Sequence, residues 1–191
     1  MSPGSEPATV LVVDDEEEVA DVYALRLQNH YETSVAYSGA DALEQVDENV
    51  DVVLLDRRMP DISGDEVLEH IRAEGYDCRV IMLTAVDPGF DIVDMPFDDY
   101  LCKPVEKANL VEAIDQQLEI KRYDEQLSEY LETTSKLTLL ESELTEEERE
   151  ESDELDRLHG RADDLRSEIE GALDEFEDIE QAFKQIRRSP G

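Results

Sequence analysis

Residues 51–60 read DVVLLDRRMP, a short run of valine and leucine that ends on an acidic residue. Consecutive apolar residues without polar alternation are typical of a strand that is buried on both faces of a sheet. Similar runs occur in residues 9–15, TVLVVDD, and in residues 79–84, RVIMLT. Each run therefore predicts a buried strand with a polar side chain at its carboxyl end.

Amphipathic stretches separate these runs. Apolar residues recur at helical spacing in residues 19–29, 39–46 and 64–72, and shorter extended segments lie at residues 33–36 and 100–102. Strands that alternate with helices predict an α/β fold whose parallel sheet is covered by helices on both faces. We therefore expect a doubly wound, five-stranded parallel sheet. In such sheets ligands bind at the carboxyl ends of the strands.

The chain changes character after Pro104, with no glycine before Gly160 and no proline before Pro190. From position 155 onward, apolar residues follow alternating steps of three and four, the heptad spacing of a coiled coil. They are Leu155, Leu158, Ala162, Leu165, Ile169, Ala172, Phe176, Ile179, Phe183 and Ile186. Similar spacing upstream is carried by Ile120, Tyr123, Leu127, Tyr130, Leu137 and Leu144. The pattern predicts two long amphipathic helices.

A polar stretch, TEEEREESDE, separates the two predicted helices. The first helix is predicted to run to about Leu144, with an interruption at residues 133–135. The second would span residues 146–187, behind a capping box of Thr145 and Glu148. An apolar seam of this length must be buried, so the tail forms either an intrachain hairpin or a dimeric coiled coil. The single polar turn favours the hairpin.

Polar side chains follow the predicted strands where each strand ends. Asp14 and Asp15 follow the first strand, Asp56 and Thr84 follow two others, and Lys103 follows the last. Three carboxylates at one sheet edge repel each other unless they share a hard cation, and Mg²⁺ prefers carboxylate, carbonyl and water oxygens. The lysine and the hydroxyl can hold a phosphoryl group. The set suits an aspartate nucleophile that accepts a phosphoryl group.

At these positions the chain resembles the receiver domain of two-component response regulators, over roughly residues 8–120. The matching residues are Asp14-Asp15, Asp56 with Met59-Pro60 and Gly64, Thr84-Ala85, and Tyr100 with Lys103-Pro104. The resemblance implies that a histidine kinase phosphorylates Asp56. It also implies that Asp14, Asp15, Asp56 and the main-chain carbonyl of Arg58 bind Mg²⁺.

The same resemblance assigns roles to the remaining site residues. Thr84 would contact the phosphoryl group, Tyr100 would be the rotameric switch, and Lys103 would pair with the phosphate. The Lys103–Pro104 peptide bond would be cis. The protein would be a phosphoacceptor in signalling, whose only reactions are its own phosphorylation and slow dephosphorylation. A haloacid-dehalogenase-like phosphatase needs a second acid two residues after the nucleophile, and Arg58 stands there instead.

The tail resembles the HalX domain that is attached to receivers in halophilic archaea. We therefore expect a flexible N-terminus at residues 1–7, a receiver at 8–120, a helical HalX-like coiled-coil domain at 121–187 and a disordered C-terminus at 188–191. The signal would pass through the tail to an unidentified downstream protein, with control of transcription as one output. The tail could also form a homodimer.

The chain departs from the receiver pattern between Thr84 and Tyr100, where the interval is short and contains Pro88, Gly89 and Pro96. Because proline interrupts helical hydrogen bonding, no full fourth helix is expected in residues 86–99. This departure, together with the regular heptad spacing from Leu155 to Ile186, leaves an alternative. The protein could be a constitutive coiled-coil interaction protein with a vestigial receiver.

Charge limits the partners. The chain has 52 acidic and 17 basic residues, a formal net charge of −35. Contacts with nucleic acid or an anionic membrane need lysine and arginine, so direct DNA binding and membrane binding are not expected. No apolar run approaches the roughly 20 residues of a membrane helix. We expect a cytoplasmic protein adapted to high salt, which screens such self-repulsion. We expect the two cysteines, Cys78 and Cys102, to be small core or loop residues and not redox centres.

Overall fold

The computed structural model describes residues 7–85, 92–147 and 152–185. The chain divides into two compact units, one that extends to Leu118 and one from Glu119 to Phe183. The expected flexible termini at residues 1–7 and 188–191 lie outside the described residues, apart from residue 7 itself.

The first unit contains a parallel sheet of five strands. The strands are β1 Thr9–Val13, β2 Glu32–Ala36, β3 Val52–Asp56, β4 Arg79–Thr84 and β5 Asp99–Cys102. Their order across the sheet is β2-β1-β3-β4-β5, and all neighbouring pairs are parallel. The order reverses direction between β1 and β3, which is the topological switch point where doubly wound sheets bind ligands. The predicted fold class is confirmed.

The described part of the chain contains five helices longer than one turn. They are α1 Glu17–Leu27, α2 Gly39–Gln45, α3 Gly64–Glu74, α4 Lys107–Glu143 and α5 Asp153–Gln185. Helix α3 begins with a capping box in which Ser63 and Glu66 satisfy each other's backbone N–H groups. No helix in the described ranges is both long enough and apolar enough to cross a membrane.

Strand residues alternate between two cores because successive side chains point to opposite faces of a sheet. Leu11 and Val53 face a core that includes residues of α2 and α3, whereas Val10 and Val52 face one that includes residues of α1 and the first turns of α4. Cys78, just before β4, and Cys102, the last residue of β5, are buried and are not joined by a disulfide. Of the two expected settings, core or loop, the structure places both in the core.

The connection between β4 and β5 is described for Ala85 and for residues 92–98. These residues form a turn at Ile92 and no α-helix, while residues 86–91 lie outside the described part of the chain. The segment is fixed at its end by Asp98. The carboxylate of Asp98 accepts hydrogen bonds from Arg72 Nη2 at 2.6 Å and Arg79 Nη1 at 3.1 Å. The Val80 N–H donates to it at 2.7 Å.

Arg72 adds main-chain contacts to this network. Its guanidinium donates to the carbonyl oxygens of Pro96 and Cys78, each at 2.9 Å. One arginine of α3 therefore joins the start of β4 to the segment before β5. Because guanidinium–carboxylate bonds are stronger than neutral ones, this network stabilises a connection that has no described helix.

Helix α4 runs without the break predicted at residues 133–135. Hydroxyl-bearing side chains usually favour breaks because they compete for backbone hydrogen bonds. Here Thr134 Oγ1 donates to the Tyr130 carbonyl and Ser135 Oγ to the Leu131 carbonyl, each four residues back and each at 2.8 Å. Bonds of this kind leave the helical ladder in place. The predicted interruption is therefore wrong.

The sequence pattern places the start of the second helix at about Glu146, and residues 146 and 147 are helical. Residues 148–151 lie outside the described part of the chain, Ser152 is not helical, and helix α5 begins at Asp153. The Leu155 N–H donates to Ser152 Oγ at 3.3 Å. Serine is a favoured N-cap, and the acidic first turn of α5 complements the helix dipole. The predicted capping partner Glu148 lies outside the described residues, as do residues 186 and 187 at the predicted helix end.

In the second unit, α5 packs antiparallel to the later part of α4. Arg161 forms a two-pronged ion pair with Glu129 at 2.6 and 2.7 Å, and Gln126 donates to Glu168 at 2.7 Å. Exposed ion pairs contribute little free energy, so burial of apolar side chains stabilises the pair. Leu137 on α4 and Leu155, Leu165 and Ile169 on α5 are buried. These contacts form a helical hairpin within one chain.

Replacing Asp98 with alanine tests the role of the arginine network. We expect Asp98→Ala to lower the free energy of unfolding by about 2 kcal/mol, because two largely buried guanidinium groups lose their charged acceptor. Urea unfolding in molar KCl measures this. Asp77→Ala removes the same charge from an exposed position nearby and should change stability by less than about 0.5 kcal/mol. Equal effects of the two substitutions would contradict this role.

Candidate functional site

The carboxyl ends of the central strands bring together most of the polar residues that the sequence pattern selected. Asp14 directly follows β1, Asp56 is the last residue of β3, and Thr84 is the last residue of β4. Lys103 directly follows β5. Because β1 and β3 are neighbours, the two aspartates lie at the switch point of the sheet.

Three carboxylates form the centre of the site. Oxygen atoms of Asp14, Asp15 and Asp56 lie within 4.8 Å of one another. Asp14 and Asp56 are buried, whereas Asp15 is exposed. Backbone N–H groups orient the buried pair: Glu16 N donates to Asp14 Oδ1 at 3.0 Å, and Arg58 N donates to Asp56 Oδ2 at 2.9 Å. Each buried carboxylate therefore has a fixed orientation.

The Lys103 ammonium lies between the two buried carboxylates. Its Nζ donates to Asp14 Oδ2 and to Asp56 Oδ1, each at 2.5 Å. Its main-chain N–H donates to the Thr84 carbonyl at 2.7 Å, which joins the end of β4 to the start of the next segment. The Lys103–Pro104 peptide bond is cis, as the receiver resemblance implied.

Burial and charge act on the pKa of each partner in this group. Burial raises the pKa of the Asp56 carboxyl above its ordinary value; the bonds and charge of Lys103 lower it, and the negative charge of Asp14 raises it. The net direction is upward. For Lys103, burial lowers the pKa, but bonds to Asp14 and Asp56 and their charges outweigh burial, so the pKa is raised. The ammonium therefore remains charged at neutral pH.

The loop after β3 fixes Asp56 through backbone contacts. Arg57 N donates to the Leu83 carbonyl of β4, and Gly64 N donates to the Arg57 carbonyl, each at 3.0 Å. A Cβ atom on Gly64 would lie 2.2 Å from the Asp56 carbonyl oxygen, so only glycine fits at the start of α3. The Arg57 side chain pairs with Asp65 at 3.1 Å. Sequence reasoning missed that ion pair, since no local pattern marks it.

The remaining predicted site residues, Arg58, Thr84 and Tyr100, differ in exposure. Thr84 is 1% exposed and contacts Lys103 through its carbonyl. Tyr100 is buried in β5, with its ring centroid 5.6 Å from that of Phe97. The Arg58 side chain is exposed, and its backbone joins the site through the bond to Asp56.

This donor set has a defined chemistry. Three carboxylates within reach of one point fit a hard divalent cation such as Mg²⁺, which takes oxygen ligands. A carboxylate oxygen of Asp56 beside a fixed ammonium is suited to attack an electrophilic phosphorus, because the ammonium stabilises negative charge that develops on the phosphoryl oxygens. The site can therefore hold a metal and a phosphoryl group together.

Comparison with protein families agrees with this geometry. A family model described as "Response regulator receiver domain" matches residues 10–115. A second model, described as "HalX domain", matches residues 119–185. The first match covers more than half of the chain and includes every predicted site residue.

Among curated relatives, a protein of Haloferax volcanii described as "Putative transcriptional regulator" is 45% identical over 165 residues. The match covers 86% of this chain but 28% of the relative, so the chain spans less than a third of that protein's length.

Solved structures share the fold of the first unit. A CheY-like receiver from Methanospirillum hungatei superposes with a TM-score of 0.58 at 25% identity, covering 62% of this chain and 99% of that one. TrrA from Thermotoga maritima, in complex with Mg²⁺ and beryllofluoride, gives a TM-score of 0.51 at 32% identity, covering 58% and 99%.

A methyl group at Gly64 should disturb the loop that holds Asp56. We expect Gly64→Ala to lower the free energy of unfolding by about 2 kcal/mol or more, because overpacking against the β3 carbonyl forces the backbone to shift. Gly160→Ala is the matched control: a Cβ there meets nothing within 4 Å in an exposed helix, so it should stabilise by roughly 0.5–1 kcal/mol. Thermal unfolding measures both, and effects of the same sign would contradict the prediction.

Proposed function

Because the chain belongs to the response regulator receiver family, we propose that it is a phosphoacceptor whose Asp56 takes a phosphoryl group from a sensor histidine kinase. One observation supports this most directly. Asp56 is buried at the switch point of the sheet, with its carboxylate oxygen 2.5 Å from the Lys103 ammonium and close to two further carboxylates. Lys103 Nζ contacts both buried carboxylates, Asp14 and Asp56, and Asp15 lies close to those two acids.

The proposed transfer is a displacement at phosphorus. An Asp56 oxygen forms a bond to phosphorus while the bond from phosphorus to the kinase histidine nitrogen breaks. The nitrogen leaves with the electron pair, and the product is an acyl phosphate on Asp56. Lys103 remains protonated and pairs with the phosphoryl oxygens, and the Thr84 hydroxyl donates to one of them. Arg58 stands two residues after Asp56, where a phosphatase of the haloacid-dehalogenase type needs a second acid, so we expect the acyl phosphate to persist.

We propose that Asp14, Asp15, Asp56 and the main-chain carbonyl of Arg58 hold Mg²⁺ during this transfer. The ion would neutralise charge on the phosphoryl oxygens and relieve repulsion among the carboxylates. The chain's own contribution is a set of oxygens that backbone N–H groups already orient. We propose that the protein acts in the cytoplasm, because that is where a histidine kinase takes its phosphoryl group from ATP.

Phosphorylation would change the protein's conformational equilibrium. The phosphoryl group adds charge and acceptor oxygens, Thr84 moves towards it, and the Tyr100 side chain reorients. These shifts bias states that already exist. We propose that α4, which begins four residues after Lys103, carries the bias into the helical tail and to a downstream protein partner. Control of transcription is one output, as the name of the Haloferax volcanii relative suggests.

Mass spectrometry tests the phosphoacceptor directly. We expect the chain to gain one phosphoryl group when it is incubated with acetyl phosphate and Mg²⁺ in molar KCl, and to gain none without the metal. Asp56→Asn should gain none, because an amide is a poor nucleophile. Glu48→Gln, at an exposed position, is the control and should be modified like the parent. An adduct that survives in Asp56→Asn would refute the assignment.

We further propose that the tail supports a homodimer, because α4 carries an exposed stripe without charge. The stripe consists of Ser128, Leu131, Ser135, Thr138, Leu139 and Ser142. Leu131 and Leu139 are 57% and 63% exposed. Two copies that each carry a charge of −35 approach most easily where charge is missing. Three hydroxyls of the stripe donate to carbonyl oxygens of their own helix. Burying these hydroxyls in an interface therefore leaves their hydrogen bonds intact.

Light scattering in molar KCl tests the dimer. We expect the mass of a dimer for the parent chain and of a monomer for Leu131→Glu combined with Leu139→Glu, because a dimer would bury these charges. Ser167→Glu combined with Gly171→Glu adds the same charges to exposed positions of α5 and should leave the dimer intact. A monomeric parent, or a dimeric stripe variant, would rule this surface out. If Mg²⁺ with beryllofluoride leaves the mass unchanged, the alternative of a constitutive tail is favoured.

A further inference from the structure

Helix α1 contacts Val105, two residues after Lys103, at both its carbonyl oxygen and its N–H group. Arg26 Nη1 donates to the Val105 carbonyl at 2.8 Å, and the Val105 N–H donates to the Tyr23 hydroxyl at 3.4 Å. Val105 and Tyr23 are each 4% exposed. These contacts join positions about 80 residues apart in the chain, and neither is needed to close a strand or a helix.

The two side chains of α1 also support each other. Arg26 lies with its guanidinium carbon 5.7 Å from the centroid of the Tyr23 ring, within the range of a cation–π contact. The ring therefore limits the rotation of the guanidinium, and the guanidinium covers the ring. We refer to Arg26 and Tyr23 together as the α1 clamp.

The clamp acts on a segment that is already fixed at its other end. Lys103 N donates to the Thr84 carbonyl at 2.7 Å, so residues 103–105 are held by β4 on one side and by α1 on the other. The lysine side chain has four rotatable methylene bonds and little intrinsic directional preference. Its position between Asp14 and Asp56 therefore depends on where its main chain is placed.

We propose that Arg26 and Tyr23 are positioning residues for Lys103: by fixing Val105, they hold the ammonium where it meets the incoming phosphoryl group. This inference rests on the proposed phosphoacceptor function. Helix α1 would thus influence the site indirectly, because Arg26 and Tyr23 contact Val105 and not the site residues themselves. The clamp would affect pairing of Lys103 with the phosphoryl oxygens, and it would not affect the carboxylates that hold Mg²⁺.

The affinities for two probes distinguish a role in positioning Lys103 from a general destabilisation of the site. The probes are Mg²⁺ alone and beryllofluoride at saturating Mg²⁺, titrated by calorimetry into the full chain in molar KCl. We expect Arg26→Met to weaken beryllofluoride binding roughly tenfold, the effect of losing one well-placed charged hydrogen bond. Mg²⁺ binding should be unchanged or tighter, because a displaced ammonium no longer competes for the carboxylates. Tyr23→Phe should show the same split with a smaller effect, and Arg26→Lys should restore part of the affinity.

Tyr31→Phe is the matched control. The Tyr31 hydroxyl donates to Asp115 at 2.7 Å and lies 3.3 Å from the Val111 carbonyl oxygen, both on α4, so this variant removes hydroxyl contacts within the first unit without touching Val105. It should lower the urea midpoint and leave both affinities unchanged. Parallel weakening of both probes in the clamp variants, or no change in either, would overturn the positioning role. A parent chain that binds no beryllofluoride would instead refute the phosphoacceptor proposal.

Discussion

Repulsion among carboxylates at one end of a parallel sheet is the constraint on which the site depends. Asp14 and Asp56 are buried side by side because β1 and β3 are neighbours, and two buried like charges are unfavourable without a counter-charge. The ammonium of Lys103 supplies that charge at 2.5 Å from each. The surrounding structure keeps this balance: β4 and α1 hold the main chain of residues 103–105, and the glycine at the start of α3 lets the loop after β3 lie close to Asp56.

The sheet and the site residues could be predicted from the sequence because their signals are local. An apolar run such as residues 52–55 has few alternatives to a buried strand, and every predicted strand lies within one residue of the observed bounds. Details that depend on hydrogen bonds were not predictable. The side chains of Thr134 and Ser135 could break a helix or bond within it, and the cap at Ser152 falls inside a stretch that the pattern assigned to one continuous helix. The Asp98 network and the α1 clamp join distant residues, which no local pattern reveals.

Short contacts and long-range repulsion respond differently to salt in this chain. The net charge of −35 repels over many ångströms, whereas the Asp98 network acts over 2.6 to 3.1 Å between largely buried groups. In molar salt the screening length falls to about 3 Å. Salt therefore removes most of the repulsion and leaves these contacts nearly intact. A strongly acidic chain can in this way rely on a few arginines for specific bonds while its surface remains negative.

The two cysteines lie at opposite ends of the sheet. Cys78 precedes β4 at the amino end and is 2% exposed, while Cys102 ends β5 beside Lys103 and is 7% exposed. A buried thiol reacts with a reagent only during moments when its surroundings open. The reaction rate of Cys102 therefore follows opening next to Lys103 and the carboxylate site, and that of Cys78 follows opening near the arginine network. The protein carries two internal chemical reporters, one for each end of its sheet.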